Sequence, residues 1–167
     1  MMRIIQVACL VVITSLSMSA CDNHTQAGKM ETALKAAQKA YYKGDYNTAA
    51  QLFQALAERG DVQAEFFLGD LYLSGNGVPQ DYAQALKWSR AAAEHGSTAA
   101  QFTLGKMYEL GLGVPQDYVQ AHVWYNLSAS SGDEQATRKR DQMRLKMNRS
   151  QLEEALRREK AWLEAHR

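Results

Sequence analysis

Apolar residues in the middle of the chain recur at the spacing of an α-helix. Ala64, Leu68, Leu71 and Tyr72 are four, three and one positions apart, which places their side chains on one face of a helix. The segment Gly75-Asn76-Gly77 follows, and its glycines favour left-handed backbone that ends a helix. This stretch therefore predicts an amphipathic helix with a sharp end.

A second helix is predicted directly after this break. Val78-Pro79 favours an extended connection, because proline disfavours helical backbone in the residue before it. Asp81, with Gln84 three residues later, is typical of a helix N-terminus. Ala85 and Trp88 then resume the helical apolar spacing. The whole segment predicts two helices that pack against each other through one tight loop.

The same pattern returns 36 residues later, from Ala64 to Ala100 and onward. A period of this length, with helix, loop and helix in each period, predicts a repeat protein. The recurring framework positions are Leu68, Gly69, Tyr72, Gly75, Gly77, Asp81 and Trp88 in one unit, and Leu104, Gly105, Tyr108, Gly111, Gly113, Asp117 and Trp124 in the next. The Gly-x-Gly-Val-Pro-Gln-Asp-Tyr segment lacks the lysine of a phosphate-binding loop, so we interpret it as architecture.

Each unit begins and ends on residues that suit helix termini. Glycines that can cap a helix C-terminus are followed at once by residues that can cap the next N-terminus. The pairs are Gly60-Asp61, Gly96-Ser97 and Gly132-Asp133. They set the predicted units at 61–96 and 97–132.

The two ends of the array depart from this framework. Residues 31–60 contain a second-helix half that begins at Asp45-Tyr46 but lacks the Gly-x-Gly loop, which predicts a partial unit whose turn resembles a plain tetratricopeptide turn. Residues 133–167 have a polar first helix, as a terminal repeat requires. In that first helix Arg140, Asp141 and Arg144 replace the apolar framework. Ser150 with Glu153 predicts a capping box, and a final helix is expected to fold back through Leu152, Leu156, Trp162 and Leu163.

Together these residues resemble the Sel1-like repeat, a relative of the tetratricopeptide repeat. The two complete units, 61–96 and 97–132, carry its pattern almost residue for residue. The resemblance implies an all-α fold, a short right-handed α-solenoid of helix-turn-helix repeats with C-terminal capping helices at 133–167. It also implies that the first helices of the units line a concave surface.

Positions that vary between units while the framework is retained are free to specify a ligand. The resemblance therefore predicts a protein-binding groove on the first helices. Its candidate residues are Phe66, Phe67, Asp70 and Leu73 in one unit, and Phe102, Thr103, Lys106 and Glu109 in the next. The charge reversal from Asp70 to Lys106 suggests surface specification. An alternative stays open for Phe66 and Phe102, which are alike and could pack between adjacent units.

The N-terminal residues are typical of a targeting segment. Arg3 precedes a short apolar run at 4–16, and small residues lead to Cys21. Residues 18–21, Met-Ser-Ala-Cys, resemble a bacterial lipobox, which predicts a signal peptide at 1–20, lipidation of Cys21 and a tether at 21–30. Asp22 resembles the signal that retains a lipoprotein at the inner membrane, which implies a lipid-anchored periplasmic protein. The alternative is an ordinary secretory signal and a soluble periplasmic or secreted protein.

Charge divides the predicted mature chain. Residues 22–137 have 8 lysines and arginines against 13 acidic residues, and residues 138–167 have 10 against 5. The basic end is interpreted first as a solvated capping surface, with binding to anionic lipid or to an acidic partner as the alternative. The formal net charge of +1 gives no bulk attraction to nucleic acid, so no nucleic-acid partner is expected.

No motif of known catalysis accompanies the repeats. His24, His95, His122 and His166 lie one per element without metal-ligand spacing, so no metal, cofactor or enzyme activity is expected. The predicted function is a periplasmic, membrane-tethered adaptor or regulator that binds a protein partner. Resemblance leaves two alternatives, an immunity protein that neutralises a secreted effector and a hydrolase of cell-wall material or β-lactams. The paired cysteines of Sel1-like proteins linked to β-lactams are absent from this chain.

Overall fold

A computed structural model describes the structure of residues 27–166. This part of the chain forms helices joined by short loops and contains no strand, which confirms the all-α prediction. The helices are α1 (27–42), α2 (Tyr46–Ala57), α3 (Val62–Ser74), α4 (Tyr82–Glu94), α5 (Thr98–Leu110), α6 (Tyr118–Ala129), α7 (Glu134–Lys146) and α8 (Arg149–Ala165). The predicted signal peptide, Cys21 and Asp22 lie outside the described residues. Residues 27–30 belong to α1, although the sequence analysis assigned them to the tether.

The helices stack in the order in which they occur along the chain. From α2 to α7 each helix packs on the next one, which is the arrangement of an α-solenoid. One group of buried side chains, including Phe53 and Leu68, fills the N-terminal units. Another, including Leu104 and Trp124, fills the C-terminal ones. The core is thus a continuous succession of inter-helix layers.

Glycine and capping residues form the turns between successive units. The Asp61 carboxylate accepts a hydrogen bond from the backbone N–H of Ala64 at 2.9 Å, at the start of α3. Gly96 has φ of +88°, a left-handed conformation that suits glycine, and Ser97 then caps α5. Each turn between units therefore combines a glycine that ends one helix with a side-chain oxygen that begins the next.

The recurring loop packs against the preceding unit. Gly77 has φ of +71°, and a Cβ placed there would overlap the backbone carbonyl of Tyr46, at the start of α2. Gly113 lies in the same way over the carbonyl of Tyr82, where an added Cβ would be 2.6 Å from the oxygen. The second glycine of each loop is thus needed both for its backbone conformation and for close contact between units.

The glutamine of the loop also has a structural role. The Gln80 side-chain amide donates to the backbone carbonyl of Leu73 at 2.9 Å, at the end of α3. Gln116 donates to the carbonyl of Glu109 at 2.8 Å, at the end of α5. Each amide pairs with a carbonyl near a helix C-terminus, where carbonyls lack partners within the helix. This supports the interpretation of the loop as architecture.

The C-terminal unit differs from the predicted cap in two respects. The capping box of α8 is formed by Asn148 and Gln151, so the prediction of Ser150 with Glu153 was wrong. The helix packs on α6 through Ala155 and the partly buried Trp162. A second set of leucines at helical spacing faces solvent instead, with Leu156 at 54% and Leu163 at 43% exposure.

Candidate binding groove on the first helices

An open groove of about 580 Å³ lies where the first helices of three consecutive units meet. Its walls come from α1, from the start of α3, and from the turn that leads into α5. The side chains that define it are Gln38, Tyr42, Gln63, Phe66, Phe67 and His95. We refer to these six residues and the space between them as the first-helix groove.

Local sequence sets the positions of the groove walls. The Asp61 cap fixes the start of α3, so that Gln63, Phe66 and Phe67 follow on its first two turns. At the opposite wall, His95 precedes Gly96, whose left-handed backbone turns the chain toward α5. The same glycine and capping residues that separate the units thus bring the groove side chains together.

Aromatic side chains form one wall of the groove. The Phe67 ring stacks on the buried Phe53 at a centroid distance of 4.9 Å and contacts Tyr41 at the same distance. It also contacts the rings of Phe66 at 5.4 Å and Tyr42 at 6.3 Å. Tyr42 is 75% exposed. The wall is therefore rigid at its base and presents one aromatic ring to solvent.

A pair of amides bridges the two helices. The Gln38 Nε2 donates a hydrogen bond to Gln63 Oε1 at 2.8 Å, from α1 to α3. An amide has two N–H donors and a carbonyl oxygen that can accept two hydrogen bonds. This bond therefore leaves one N–H of Gln38, both N–H groups of Gln63 and acceptor sites on both oxygens for other partners. The groove thus carries hydrogen-bond donors and acceptors beside its aromatic wall.

His95 is held against a buried carboxylate. Its Nδ1 lies 2.9 Å from Glu65 Oε2, and the Glu65 side chain is only 4% exposed while that of His95 is 51% exposed. Because a carboxylate accepts, Nδ1 is the nitrogen that carries the hydrogen. The contact joins α3 to the turn before α5 and directs the remaining ring edge of His95 toward the groove.

Asp70 is oriented from within the fold. The Tyr41 hydroxyl donates to Asp70 Oδ2 at 2.6 Å. Burial, reinforced by this hydrogen bond to a carboxylate, raises the pKa of the Tyr41 phenol above its ordinary value. Asp70 is half-buried and lies outside the first-helix groove.

The candidates on the next first helix occupy three kinds of environment. Phe102 is half-buried and contacts the Tyr125 ring at 5.3 Å. Thr103 donates its hydroxyl hydrogen to the backbone carbonyl of Ala99 within α5. Of these three candidates, Lys106 alone is exposed.

Glu109 does not lie on the open surface, contrary to the expectation for a partner-binding residue. Its side chain is 11% exposed and accepts from the Tyr125 hydroxyl at 2.7 Å and from Lys139 Nζ at 3.0 Å. Burial would raise the pKa of this carboxyl, but the hydrogen bonds from Tyr125 and Lys139 outweigh it and hold the pKa below its usual value. Glu109 thus joins α5 to α6 and α7, because tyrosine replaces the serine of the preceding unit at position 125.

Phe66 and Leu73 both pack against the core, and only Phe66 also lines the groove. Both are half-buried and pack against the core that includes residues of the following unit. The packing alternative considered for Phe66 therefore applies, while one side of its ring still lines the groove. Leu73 contributes to the core and lies outside the groove.

The first-helix groove thus contains only some of the predicted residues, together with residues that the sequence did not predict. Phe66 and Phe67 lie in the first-helix groove, together with the unpredicted Gln38, Tyr42, Gln63 and His95. The missed residues belong to α1 and to the inter-unit turn, which a comparison of the two complete units does not sample. The run of two tyrosines at the end of α1 was the available signal.

The described residues contain neither a candidate metal centre nor a membrane-spanning helix. Between residues 27 and 166, no group of three or more histidine, cysteine, aspartate or glutamate side chains is arranged to hold a metal ion. Over the same range, no helix is both long and apolar enough to cross a membrane.

Comparison with known families extends the repeat to the first unit. The family profile described as Sel1 repeat matches residues 34–61, 62–97 and 98–133. The first match covers the segment for which the sequence predicted a plain tetratricopeptide turn. Three consecutive repeats therefore account for α1 to α6. Among curated proteins, no match was found.

Two solved structures show the same fold. One is a protective antigen present in uropathogenic Escherichia coli strains and displaying an SLR fold, with 31% identity, a TM-score of 0.78, and coverage of 84% of this chain and 31% of that one. The other is a Sel1 repeat protein from Oxalobacter formigenes, with 34% identity, a TM-score of 0.53, and coverage of 55% of this chain and 26% of that one. The chain spans less than a third of either protein.

Proposed function

The chain belongs to the Sel1 repeat family, and from that premise we propose that it is a membrane-tethered periplasmic adaptor or regulator that binds a protein partner through the first-helix groove. Sel1 repeats generally mediate protein–protein interaction, and proteins of the family are typically scaffolds without enzymatic activity. An adaptor role needs a surface that is preorganised and accessible. The first-helix groove meets both requirements.

The observation that carries the proposal is the exposed aromatic ring of Tyr42 above a rigid base. Tyrosine is enriched among the residues that dominate the energy of protein interfaces, because it supplies a large contact area and loses little conformational freedom. Contacts between Tyr42 and the rings of Tyr41 and Phe67, at 5.5 and 6.3 Å, restrict the ring before any partner arrives. A preorganised aromatic anchor of this kind lowers the entropic cost of association.

The tether is the second part of the proposal. A lipidated cysteine at position 21 would place the repeats beside the membrane, and Asp22 would favour the inner membrane. The charge of α8 itself is balanced, with four basic and four acidic residues between positions 149 and 165. Ion pairs such as Arg157–Glu154 and Arg149–Glu153 lie along that helix. The basic excess of residues 138–167 therefore lies mainly on α7, and this proposal assigns membrane association to the lipid.

The adaptor proposal is tested by crosslinking the full-length protein in its native membrane and comparing what two variants capture. Tyr42→Ala together with Gln63→Ala removes exposed side chains from the groove. Leu145→Ala is the matched control, because Leu145 is 86% exposed and lies on α7, away from the groove. A partner captured by the wild type and by the control, and lost from the groove variant, would support the proposal.

The opposite results are equally informative. Equal capture of the same proteins by the wild type, the groove variant and the control would refute the groove as the binding site. A Cys21→Ser variant tests the tether separately. Its release from the membrane fraction is the expected result, and retention would refute the lipid anchor.

A further inference from the structure

We propose that the first-helix groove recognises an uncharged, proline-rich segment of its partner in the polyproline II conformation. The inference rests on the proposed adaptor function and adds the chemistry of the ligand. It derives from three properties of the groove, namely its charge, its rings and its hydrogen-bond donors.

The first property is the absence of fixed charge. None of the residues that line the groove within the described part of the chain is lysine, arginine, aspartate or glutamate. Glu65 lies behind the groove, buried, and pairs with His95. Burial of a charged partner side chain against such walls would leave the charge unpaired, which is costly. Charge complementarity therefore favours an uncharged ligand.

The second property is the aromatic wall. Polyproline II segments dock into grooves lined with aromatic rings, and they lose little entropy because the conformation is already populated in the free peptide. Tyr42, Phe66 and Phe67 supply such a wall, and the stacking of Phe67 on Phe53 keeps its base rigid. Proline rings are compact enough to pack against these side chains.

The third property is a set of available hydrogen-bond donors. The Gln38–Gln63 pair keeps three N–H groups for other partners. A proline residue has a backbone carbonyl and no N–H, so it needs donors and offers none. A polyproline II helix also lacks internal hydrogen bonds, which leaves its carbonyls available. The amide pair therefore offers donors to the carbonyls of a proline-rich backbone.

The test uses fluorescence anisotropy with labelled, end-blocked peptides and the full-length protein in detergent. One probe repeats Ala-Pro-Pro, and a matched probe of equal length repeats Ala-Gly-Ser. We expect saturable binding of the proline probe that changes little with salt, because no charge pair is involved. Tyr42→Ala should weaken this binding by about tenfold or more, as for a hot-spot residue, and Leu145→Ala should leave it unchanged.

Several results would overturn the inference. They are equal binding of both probes, no saturable binding of the proline probe, indifference to Tyr42→Ala, or preference for a basic peptide with strong salt dependence. Failure here can be distinguished from failure of the adaptor proposal. If crosslinked capture depends on Tyr42 while the proline probe does not bind, the adaptor function stands and the ligand chemistry is wrong.

Discussion

Replacement of Gly105 by alanine would test how closely α5 and α6 approach each other. A Cβ added to Gly105 would lie 2.6 Å from Cδ1 and 2.7 Å from Cε1 of the Tyr125 ring. The ring is fully buried, and its hydroxyl donates to Glu109 at 2.7 Å. Because the Tyr125 ring is buried and its hydroxyl is hydrogen-bonded, the ring cannot move aside, and the added methyl group requires a shift of one helix.

The expected cost follows from two opposing effects. Overpacking of a well-packed core typically costs about 1–3 kcal/mol. Alanine is more favourable than glycine in a helix interior by about 1 kcal/mol. Three contacts below 3.0 Å to a fixed ring place the steric cost in the upper part of its range. We therefore expect Gly105→Ala to lower the free energy of unfolding by about 1–2 kcal/mol.

The preceding unit supplies the matched control. Gly69 occupies the equivalent position, and a Cβ there would lie 2.9 Å from Ser89 Oγ and 3.2 Å from the Ser89 backbone nitrogen. The serine hydroxyl can rotate away and the backbone contact requires only a small shift, whereas the tyrosine ring cannot move aside. The gain in helix propensity therefore offsets more of the steric cost than at Gly105. Gly69→Ala should change the free energy of unfolding by less than about 1 kcal/mol.

Urea unfolding of the full chain, followed by far-ultraviolet circular dichroism, measures both effects. A third variant isolates the ring contact, since Gly105→Ala made in a Tyr125→Ser background should cost about 1 kcal/mol less than in the wild type. The reasoning fails if Gly105→Ala is as stable as the wild type. It also fails if the serine background leaves the cost unchanged.

Three further predictions concern the rest of the array. Stability should fall in two stages on acidification, measured by urea midpoints from pH 7 to 3. The first stage begins below pH 6.5, where His122 binds a proton in the unfolded state, while burial lowers its pKa in the folded state and delays protonation there. The second stage begins below pH 4.5, because, despite burial, hydrogen bonds lower the pKa of Glu109 in the folded state and their stabilisation is lost when the carboxylate is protonated. Glu109→Gln should reduce the second stage and leave the first unchanged, while the lowered pKa values of Glu31 and Glu154 still contribute to the second. Gly77→Ala should destabilise by more than about 1 kcal/mol, because it adds left-handed strain to overlap with the Tyr46 carbonyl, and an unchanged thermal midpoint would contradict this contact. Leu163→Gln should stay within about 0.5 kcal/mol of wild type in the same assay, because Leu163 is exposed, and a larger loss would show that α8 buries this side chain.

The repeat framework was predictable because its causes lie within one unit. Gly60, Asp61 and Ser97 act through neighbouring backbone, so their roles follow from sequence spacing. The second glycine of the loop is different. Gly77 is adjacent to Tyr46 only because consecutive units stack, and that contact joins residues 31 positions apart. Sequence could identify the turn, but the close packing that also requires glycine became visible only in the stacked fold.

Glu109 shows how comparison of units can mislead. It replaces Leu73, and variation at that position suggested a surface that specifies a partner. The same unit also replaces Ser89 by Tyr125, and the two changes together create a buried hydrogen bond. A paired change in one unit indicates an internal contact, and this signal was present in the sequence.

The final helix shows a different limit. Helical spacing places leucines on α8 in a way that predicts a buried face, and Leu156 and Leu163 are nevertheless exposed. Periodicity identifies apolar faces but does not decide which face a neighbour covers. Trp162, which contacts Trp124 at 6.2 Å, sets the orientation of α8 on α6. The groove was hidden for the same reason, because Tyr42 and Gln63 meet only through tertiary packing.

The most direct test of the central claim is site-specific photocrosslinking in the native membrane. A photoreactive phenylalanine analogue is placed at position 42, in the first-helix groove, or at position 145, on α7. The account predicts a discrete crosslinked species from position 42 that is absent from position 145 and that the Ala-Pro-Pro probe suppresses when added in excess. A species of equal yield from both positions, or one from position 145 alone, would contradict the claim that this groove binds the partner.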